Sequence, residues 1–589
     1  MSGTAEQHVP EPAPRRRRPP VLRIVLGVVL LVLLAWAAAV AVAGVQAGRA
    51  LQRVADEVPR LEARVRAEDW AGARRGAARV AEDAAAADRA TSQLPYRLAT
   101  GVPWVGDQLR AVAGGARAAA LLTEPLPEAV GVVDGVLGRG LVSADRTVDV
   151  AGLQELTPIV LDYRTRIEQA RTALHAGESP QVLPVISSRL DPVTAQLDQV
   201  SAPLGTAAQV LPQLPALLGA EGPRTYLVAF TNPAEIRPVQ GIVGAYAYLS
   251  VDGGRITLTR TGTDNDLYAA RADVSLVGQE FLDLYGQDAA RVQNVTLGGS
   301  ADEAGVLTSS LVAAAGLPAP DVVVFVDPVG LGQLLGAEHP PLQLGPFGDV
   351  ATADLARTLM YDAYVRFGTD QDARKAFLAA TSAAAFEAVL SDGLSTAALD
   401  GARQAVDSGH LAVWSSRPPE QAALVAAGVA GVLGAPRDGV VHVGLTGVVP
   451  SKLDYWVTPA FTVSPPCAAT GSSSLSLSLT NSVPADVPAY VSNAAAPRAA
   501  DRRTAVETVS LWVAPWVGLD GVSVDGAPVA AAVDEEEGWR LVRVTVPVPP
   551  GTSVTVDWRF SGSADALPRT VQGPTTASAP TVTTGGCTP

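Results

Sequence analysis

The chain has 589 residues, a formal net charge of −15 and 48% hydrophobic residues. That length predicts two to four domains. The acidic balance argues against nonspecific binding to nucleic acid or anionic polymer through the global field, but leaves room for a local basic pocket. Almost all the basic charge is arginine, with Lys375 and Lys452 the only lysines, a usage that fits GC-rich coding bias.

Residues 1–23 form a polar, basic segment expected to be cytoplasmic and disordered. Residues 24–45 then run without a charge, directly after Arg15, Arg16, Arg17, Arg18 and Arg23. A helix of that length crosses a hydrocarbon core, and the basic flank predicts a cytoplasmic N-terminus with the bulk of the chain extracellular. Ala41-Val42-Ala43 resembles a signal-peptidase site. The apolar run nevertheless exceeds the roughly 7–15 residues of a signal-peptide core, so it reads as an uncleaved anchor in the cell membrane. Beyond the first 45 residues, which carry five Arg and two Glu, the formal charge is −18.

Residues 46–218 read as an extracellular helical bundle or stalk. Leu51, Val54, Val58, Leu61 and Val65 recur as an a/d seam, with a kink expected at Pro59. Ala-rich helices follow at 69–94, 107–122, 126–138, 151–177 and 186–218. From 221 to 465 strands and helices alternate, which indicates an α/β domain. Ala245–Val251 and Arg255–Thr261 flank Asp252-Gly253-Gly254, a hairpin signal, and Val322–Val326 suits a strand buried on both faces. Further strands are expected at 410–415, 440–446 and 454–463. Residues 467–562 alternate in the manner of Leu475, Leu477 and Leu479, and read as a β-sandwich. Residues 563–589, rich in Thr and Pro, read as a flexible tail.

Cys467 and Cys587 are the only cysteines. In an oxidising exterior they are expected to be bonded, which adds about 4–5 kcal/mol in the chain-entropy model, with two free thiols as the alternative. These cysteines and five scattered histidines offer no metal-site spacing.

Three loops carry candidate binding residues. In Asn232–Gly244, Glu235 and Arg237 place opposite charges beside glycines, as in a loop for a phosphate or sugar or as a simple turn-capping pair. In Tyr361–Lys375, Arg366, Arg374 and Lys375 form a basic cluster able to clamp a pyrophosphate, with Asp370 and Asp372 at the next helix start; helix-end electrostatics account for the same pattern. In Thr261–Asp266, Asp264 and Asp266 are oxygen donors suited to Mg²⁺, or a plain turn. No nucleophile elbow, P-loop or HExxH motif occurs, so no catalytic set is legible.

Five stretches together resemble the bacterial envelope family known as domain of unknown function four thousand and twelve: Gly101–Gly106 with Trp104, Asn232–Gly244, Asp321–Leu335, Tyr364–Leu378 and His410–Gln421. The resemblance covers roughly residues 46–463. It implies a single-pass protein of the Gram-positive envelope, often encoded near polysaccharide genes. That family commonly carries two glycines after its Arg-Pro pair, and Gln240 takes the first of those places here. More distantly the order of elements is similar to the LytR–CpsA–Psr phosphotransferases, which implies an α/β core. Their Arg-Ser-Asp-Thr and Pro-Arg-Asp motifs are replaced by Gly241-Ile242-Val243-Gly244 and Thr261-Gly262-Thr263-Asp264, so catalysis is not implied.

The expected function is noncatalytic binding or organising of cell-envelope glycopolymers by a membrane-anchored protein with no cofactor. One alternative is a phosphotransferase acting on polyprenyl-pyrophosphate-linked glycans, with Mg²⁺ as its cofactor. Another is a structural or adhesive ectodomain that binds a protein. The expected partners are the membrane and a lipid-linked or cell-wall glycopolymer, not nucleic acid.

Overall fold

The computed structural model describes residues 20–140, 142–143, 147–336, 338–392, 396–467, 471–492 and 501–586. The basic segment before Pro20 and Cys587 lie outside the described residues. The chain divides into two compact units, residues 1–138 with 158–205, and residues 139–157 with 206–589.

The first unit is helical. Helix α1 (Pro20–Arg66) carries the apolar run, long enough to cross a membrane, and continues through Pro59. After it come α2 (Trp70–Thr91), α3 (Leu94–Ala99), α4 (Val105–Thr123) and α5 (Leu126–Arg139). Helices α6 (Val150–His175) and α7 (Pro184–Val210) extend across the division. The buried stripe on α1 is Ala43, Ala47, Ala50 and Leu61, at heptad-like spacing. Val58 and Val65, expected in the seam, face outward instead. Alanine wins because Ala47 and Ala50 meet Ala87, Ala90 and Ala116, and small side chains let helices approach closely. Gly114 on α4 serves the same end, since a Cβ there would lie 2.4 Å from the Ala173 carbonyl oxygen of α6.

The second unit begins with a five-stranded mixed sheet. Strand β1 (Arg224–Asn232) pairs antiparallel with β2 (Ile242–Asp252) and parallel with β4 (Val322–Val326). Strand β3 (Arg255–Thr263) closes the hairpin through Asp252-Gly253-Gly254, and Leu411–Ser415 forms the other edge. Successive residues of β1 enter different cores. Leu227 and Ala229 pack with helix Ala301–Ala314, Val228 with helices Pro328–Leu335 and Gln371–Asp392. Both faces are thereby covered, as the unbroken Val322–Val326 run requires.

The rest of the unit is rich in strands. A six-stranded and a five-stranded sheet share one core, built from Val443, Phe461, Leu477, Leu511, Val542 and Trp558 among others. Strands Val440–Gly447 and Val457–Cys467, assigned from sequence to the α/β domain, belong to these sheets instead. Two segments of the expected tail also differ from expectation. Thr570–Gln572 adds to Val440–His442, and Thr581–Thr584 adds to Ala460–Val463. A sheet edge offers unpaired backbone groups to any extended segment, so a Thr-rich stretch with weak side-chain pattern still docks.

An acidic seam joins the two parts of this unit. The Glu536 carboxylate accepts from Trp512 Nε1 at 2.6 Å, from Tyr285 Oη at 3.0 Å and from Gly299 N at 3.2 Å. Ser300 Oγ donates to Glu537 at 2.7 Å, and Glu537 N donates to Glu280 at 2.8 Å. Partial burial, then the negative charges of Glu536 and Glu537, push the Glu303 carboxyl up to about 9, and burial pushes Glu537 up to about 7. The folded state therefore holds protons that the unfolded chain releases. Glu303's contribution is complete below its ordinary 4.5 and is lost as pH rises to about 9. Glu303→Gln should flatten the decline in melting temperature over that interval and exceed wild type by about 1–2 kcal/mol at its alkaline end. Thermal melts of both proteins across the pH series check this.

Candidate functional site

The loop that leaves β1 turns at once. Asn232 Oδ1 accepts from Ala234 N at 3.0 Å, and Glu235 N donates to the Asn232 carbonyl at 3.0 Å. Gly241 closes the turn at φ +94°, where a Cβ would lie 2.1 Å from the Asn232 carbonyl oxygen. Gln240 also holds a positive φ, 61°. This is the first of the two positions where the resembling family commonly carries glycine. The glutamine keeps that geometry, with its side chain buried and Oε1 accepting from Thr231 Oγ1.

Ile236, between these turns, is inserted into the C-terminal core. Its N–H donates to Asp454 Oδ2 at 2.7 Å, and its carbonyl accepts from Gly447 N at 3.2 Å. Arg237 donates to the carbonyls of Ile236 (2.8 Å) and Gly447 (2.9 Å) and to Asn294 Oδ1 (3.3 Å). Behind it lie two fully buried carboxyl groups, Asp454 and Glu507. Burial pushes both upward, and the pair retains a proton because adjacent carboxylates in a dry site do not both ionise.

That insertion holds Glu235 against Lys452, which is 5% exposed and forms an ion pair with it. The Lys452 Nζ lies 4.9 Å from the Tyr364 ring centroid. Burial opposes the charge on Lys452, but Glu235 and the Tyr364 hydroxyl outweigh it and hold the ammonium above its ordinary range. Tyr364 stacks on Tyr490 with centroids 5.7 Å apart and planes 12° from parallel. The Arg374 guanidinium sits 4.2 Å from the Tyr490 centroid and 5.1 Å from that of Tyr364, and donates to the Gly368 carbonyl at 2.9 Å. Asp264, raised by burial, feels the positive charges of Lys375 and Lys452. A second aromatic group adjoins through Tyr361, one turn before Tyr364 on a π-helical segment, Thr358–Asp362. Tyr361 stacks on Tyr455 (5.9 Å, 16°) and meets Trp456 edge-on (4.7 Å). Tyr490 is half exposed, so the array reaches solvent.

Of the eight sequence candidates, Glu235, Asp264 and Arg374 converge here, and the other five do not. Arg237 is consumed by backbone carbonyls, as described. Arg366 lies over the rings of Phe367 and Phe377 and donates to the Phe347 carbonyl. Asp266 accepts from Thr263 N and Tyr246 Oη, closing a capping box rather than facing a cation with Asp264. Asp370 accepts from Ala373 N at a helix start, and Asp372 sits in the first turn of that helix. The sequence reading missed Lys452, Tyr490, Tyr455 and Trp456. A signal was present, because the chain's only two lysines both bear on Asp264.

Residues 221–364 match the profile of the family described as Protein of unknown function (DUF4012). That stretch includes Glu235, Asp264, Tyr361 and Tyr364, whereas Arg374, Lys375, Lys452 and Tyr490 follow it. No curated protein and no solved structure matches the chain.

Removing one partner of a shielded ion pair leaves the other charge uncompensated. Lys452→Met should cost about 2–3 kcal/mol, and combining it with Glu235→Gln should recover part of that loss. Chemical denaturation of the two single variants and the double variant measures the coupling.

Proposed function

We propose that this is a single-pass membrane protein whose extracellular part binds anionic envelope glycopolymer, without catalysis, at the aromatic and basic array around Tyr490. The observation that carries this reading is the half-exposed Tyr490 ring backed by the buried Arg374 guanidinium, beside the buried Lys452, with the exposed Lys375 sharing Asp264 with Lys452. Aromatic faces accept the C–H faces of sugars, and Arg and Lys recognise phosphate or carboxylate substituents. The phosphotransferase alternative draws no comparable support, since Arg237 and Arg366 are occupied by backbone carbonyls and aromatic rings. The anchor reading is supported by the burial of Ala43, Ala47 and Ala50, which makes α1 continuous with the bundle. The two C-terminal sheets, facing each other across one core, are read as a β-sandwich.

Titration calorimetry of the full-length protein with a purified acidic wall glycan tests the proposal. Tyr490→Ala and Lys375→Ala should each weaken binding by roughly tenfold with little change in melting temperature. Arg237→Ala, the substitution the sequence would favour for a binding defect, should instead lower stability. Unchanged affinity in Tyr490→Ala, or no binding by wild type, overturns the reading.

The Cys467–Cys587 disulfide is part of the same proposal. Parallel pairing of Thr581–Thr584 with Ala460–Val463, continued by Gly585 N donating to the Val463 carbonyl at 2.9 Å, runs residues 581–585 in the direction of the strand that finishes at Cys467, which supports this reading. Nonreducing peptide mapping should recover the two cysteines in one linked fragment. Complete alkylation of both without reductant argues for free thiols.

A further inference from the structure

Helix α1 is alone only over part of its apolar run. Residues 25–35 are exposed throughout, and the bundle begins at Trp36, whose Nε1 donates to the Pro95 carbonyl at 3.0 Å. From Val25 to Trp36 the free-standing part extends about 17 Å at 1.5 Å per residue, short of the roughly 30 Å of a hydrocarbon core. The apolar run itself continues about 14 Å past Trp36 to Val45. A bilayer that covers the run therefore also surrounds whatever packs beside it, and that is α3, through Pro95 at Trp36 and Tyr96 at Gly44, with the loop that follows α3 directly in the chain.

The surface there suits acyl chains. Leu94 and Leu98, one helical turn apart, are 67% and 63% exposed, while Tyr96 and Ala99 on the other side of α3 are buried. The loop and the first residue of α4 add Val102, Trp104 and Val105, with Trp104 55% exposed. Trp104 holds φ 63°, a conformation that costs a bulky side chain about 1–2 kcal/mol. Gly106 fixes that backbone, since a Cβ on it would lie 2.1 Å from the Thr100 carbonyl oxygen. The loop thus accepts strain while leaving an indole uncovered. Its backbone groups are largely paired internally. Val102 N donates to the Ala99 carbonyl (3.1 Å), Gly106 N to Val102 (2.7 Å), and Arg110 to the Thr100 carbonyl (2.5 Å). Lipid demands such internal pairing of any segment it surrounds. Arg97 is the one charged side chain from Leu94 through Gly106, and a long arginine reaches the headgroups from such a position.

We infer that α3 and the Thr100–Gly106 loop are inserted in the phospholipid leaflet beside α1, with Leu94 and Leu98 among acyl chains and Trp104 at the headgroup boundary. This rests on the reading of α1 as an uncleaved anchor. Two points of insertion fix the bundle's attitude to the membrane, where a single helix alone would leave it free to swivel.

Site-specific photocrosslinking tests the inference on the full-length protein in phosphatidylcholine–phosphatidylglycerol nanodiscs. Benzoylphenylalanine replaces Val29, Leu98, Trp104 or Leu161 in turn, and lipid adducts are read by mass spectrometry. A position whose replacement lowers the melting temperature is exchanged for its neighbour, Leu94 or Val102. The expected result is lipid adduct at 29, 98 and 104 at least about tenfold above that at 161. Adduct at 29 but only background at 98 and 104 overturns the insertion and leaves the anchor standing. Background at all positions overturns both. Adducts at 98 and 104 to a second protein chain instead of lipid overturn the insertion in favour of a protein interface.

Discussion

The second unit depends on one insertion, that of Ile236 into the C-terminal core. A loop leaving a sheet is ordinarily free to move, since its backbone groups are satisfied by water. Here the Ile236 amide and carbonyl are both bound, to Asp454 and to Gly447, and its side chain is 1% exposed among residues of the two C-terminal sheets. The mixed sheet and the strand-rich part are consequently joined through backbone geometry as well as through apolar contact. Arg237 belongs to the same clamp. Its Nη1 ties the Ile236 and Gly447 carbonyls together while Nη2 reaches Asn294, a task suited to several donors in one plane.

The position of Glu235 follows from that clamp, and with it the placing of Lys452. A buried ammonium is costly unless its partner is fixed in place. The chemistry also separates the two cation types. Lys452, a compact charge on a flexible stem, sits below the Tyr364 ring and meets one carboxylate. Arg374, flat and more weakly hydrated, lies against Tyr364 and Tyr490. Exchanging the two residue types would misfit both places. The acidic seam of Tyr285, Trp512 and Glu536 joins the same two parts elsewhere, with the Glu536 carboxylate held by three hydrogen-bond donors and favoured by the Arg543 charge.

The helical unit solves a different problem with different residues. Alanine and glycine bury little apolar area each, but they let backbones approach closely. Ala47, Ala50, Ala87 and Ala116 form such a contact, and the larger apolar side chains of α1 at Val58 and Val65 remain outside. An unbroken helix therefore carries the apolar run into the bundle, and Trp36 marks the point where the two meet.

Local pattern was enough to determine several features. The uncharged run of residues 24–45, the Ala-rich helices, the hairpin at Asp252-Gly253-Gly254 and the alternation of Leu475, Leu477 and Leu479 each reflect a periodicity written in neighbouring residues. Glu235, Asp264 and Arg374 were legible as charged groups near turns, and Gln240 as an exception at a glycine position whose left-handed backbone explains the usual preference. Tertiary structure decided what pattern does not encode. Strand Val440–Gly447 reads the same whichever sheet it joins, and Thr581–Thr584 carries too weak an alternation to announce an edge strand. Arg237, Arg366 and Arg374 are indistinguishable as letters, yet one binds carbonyls, one covers phenylalanines and one stacks on tyrosines. Lys452 lies 217 residues from Glu235, and no local rule connects them. The difference is physical: periodicity and backbone preference act over a few residues, whereas burial and charge pairing depend on which distant surfaces the folded chain brings together.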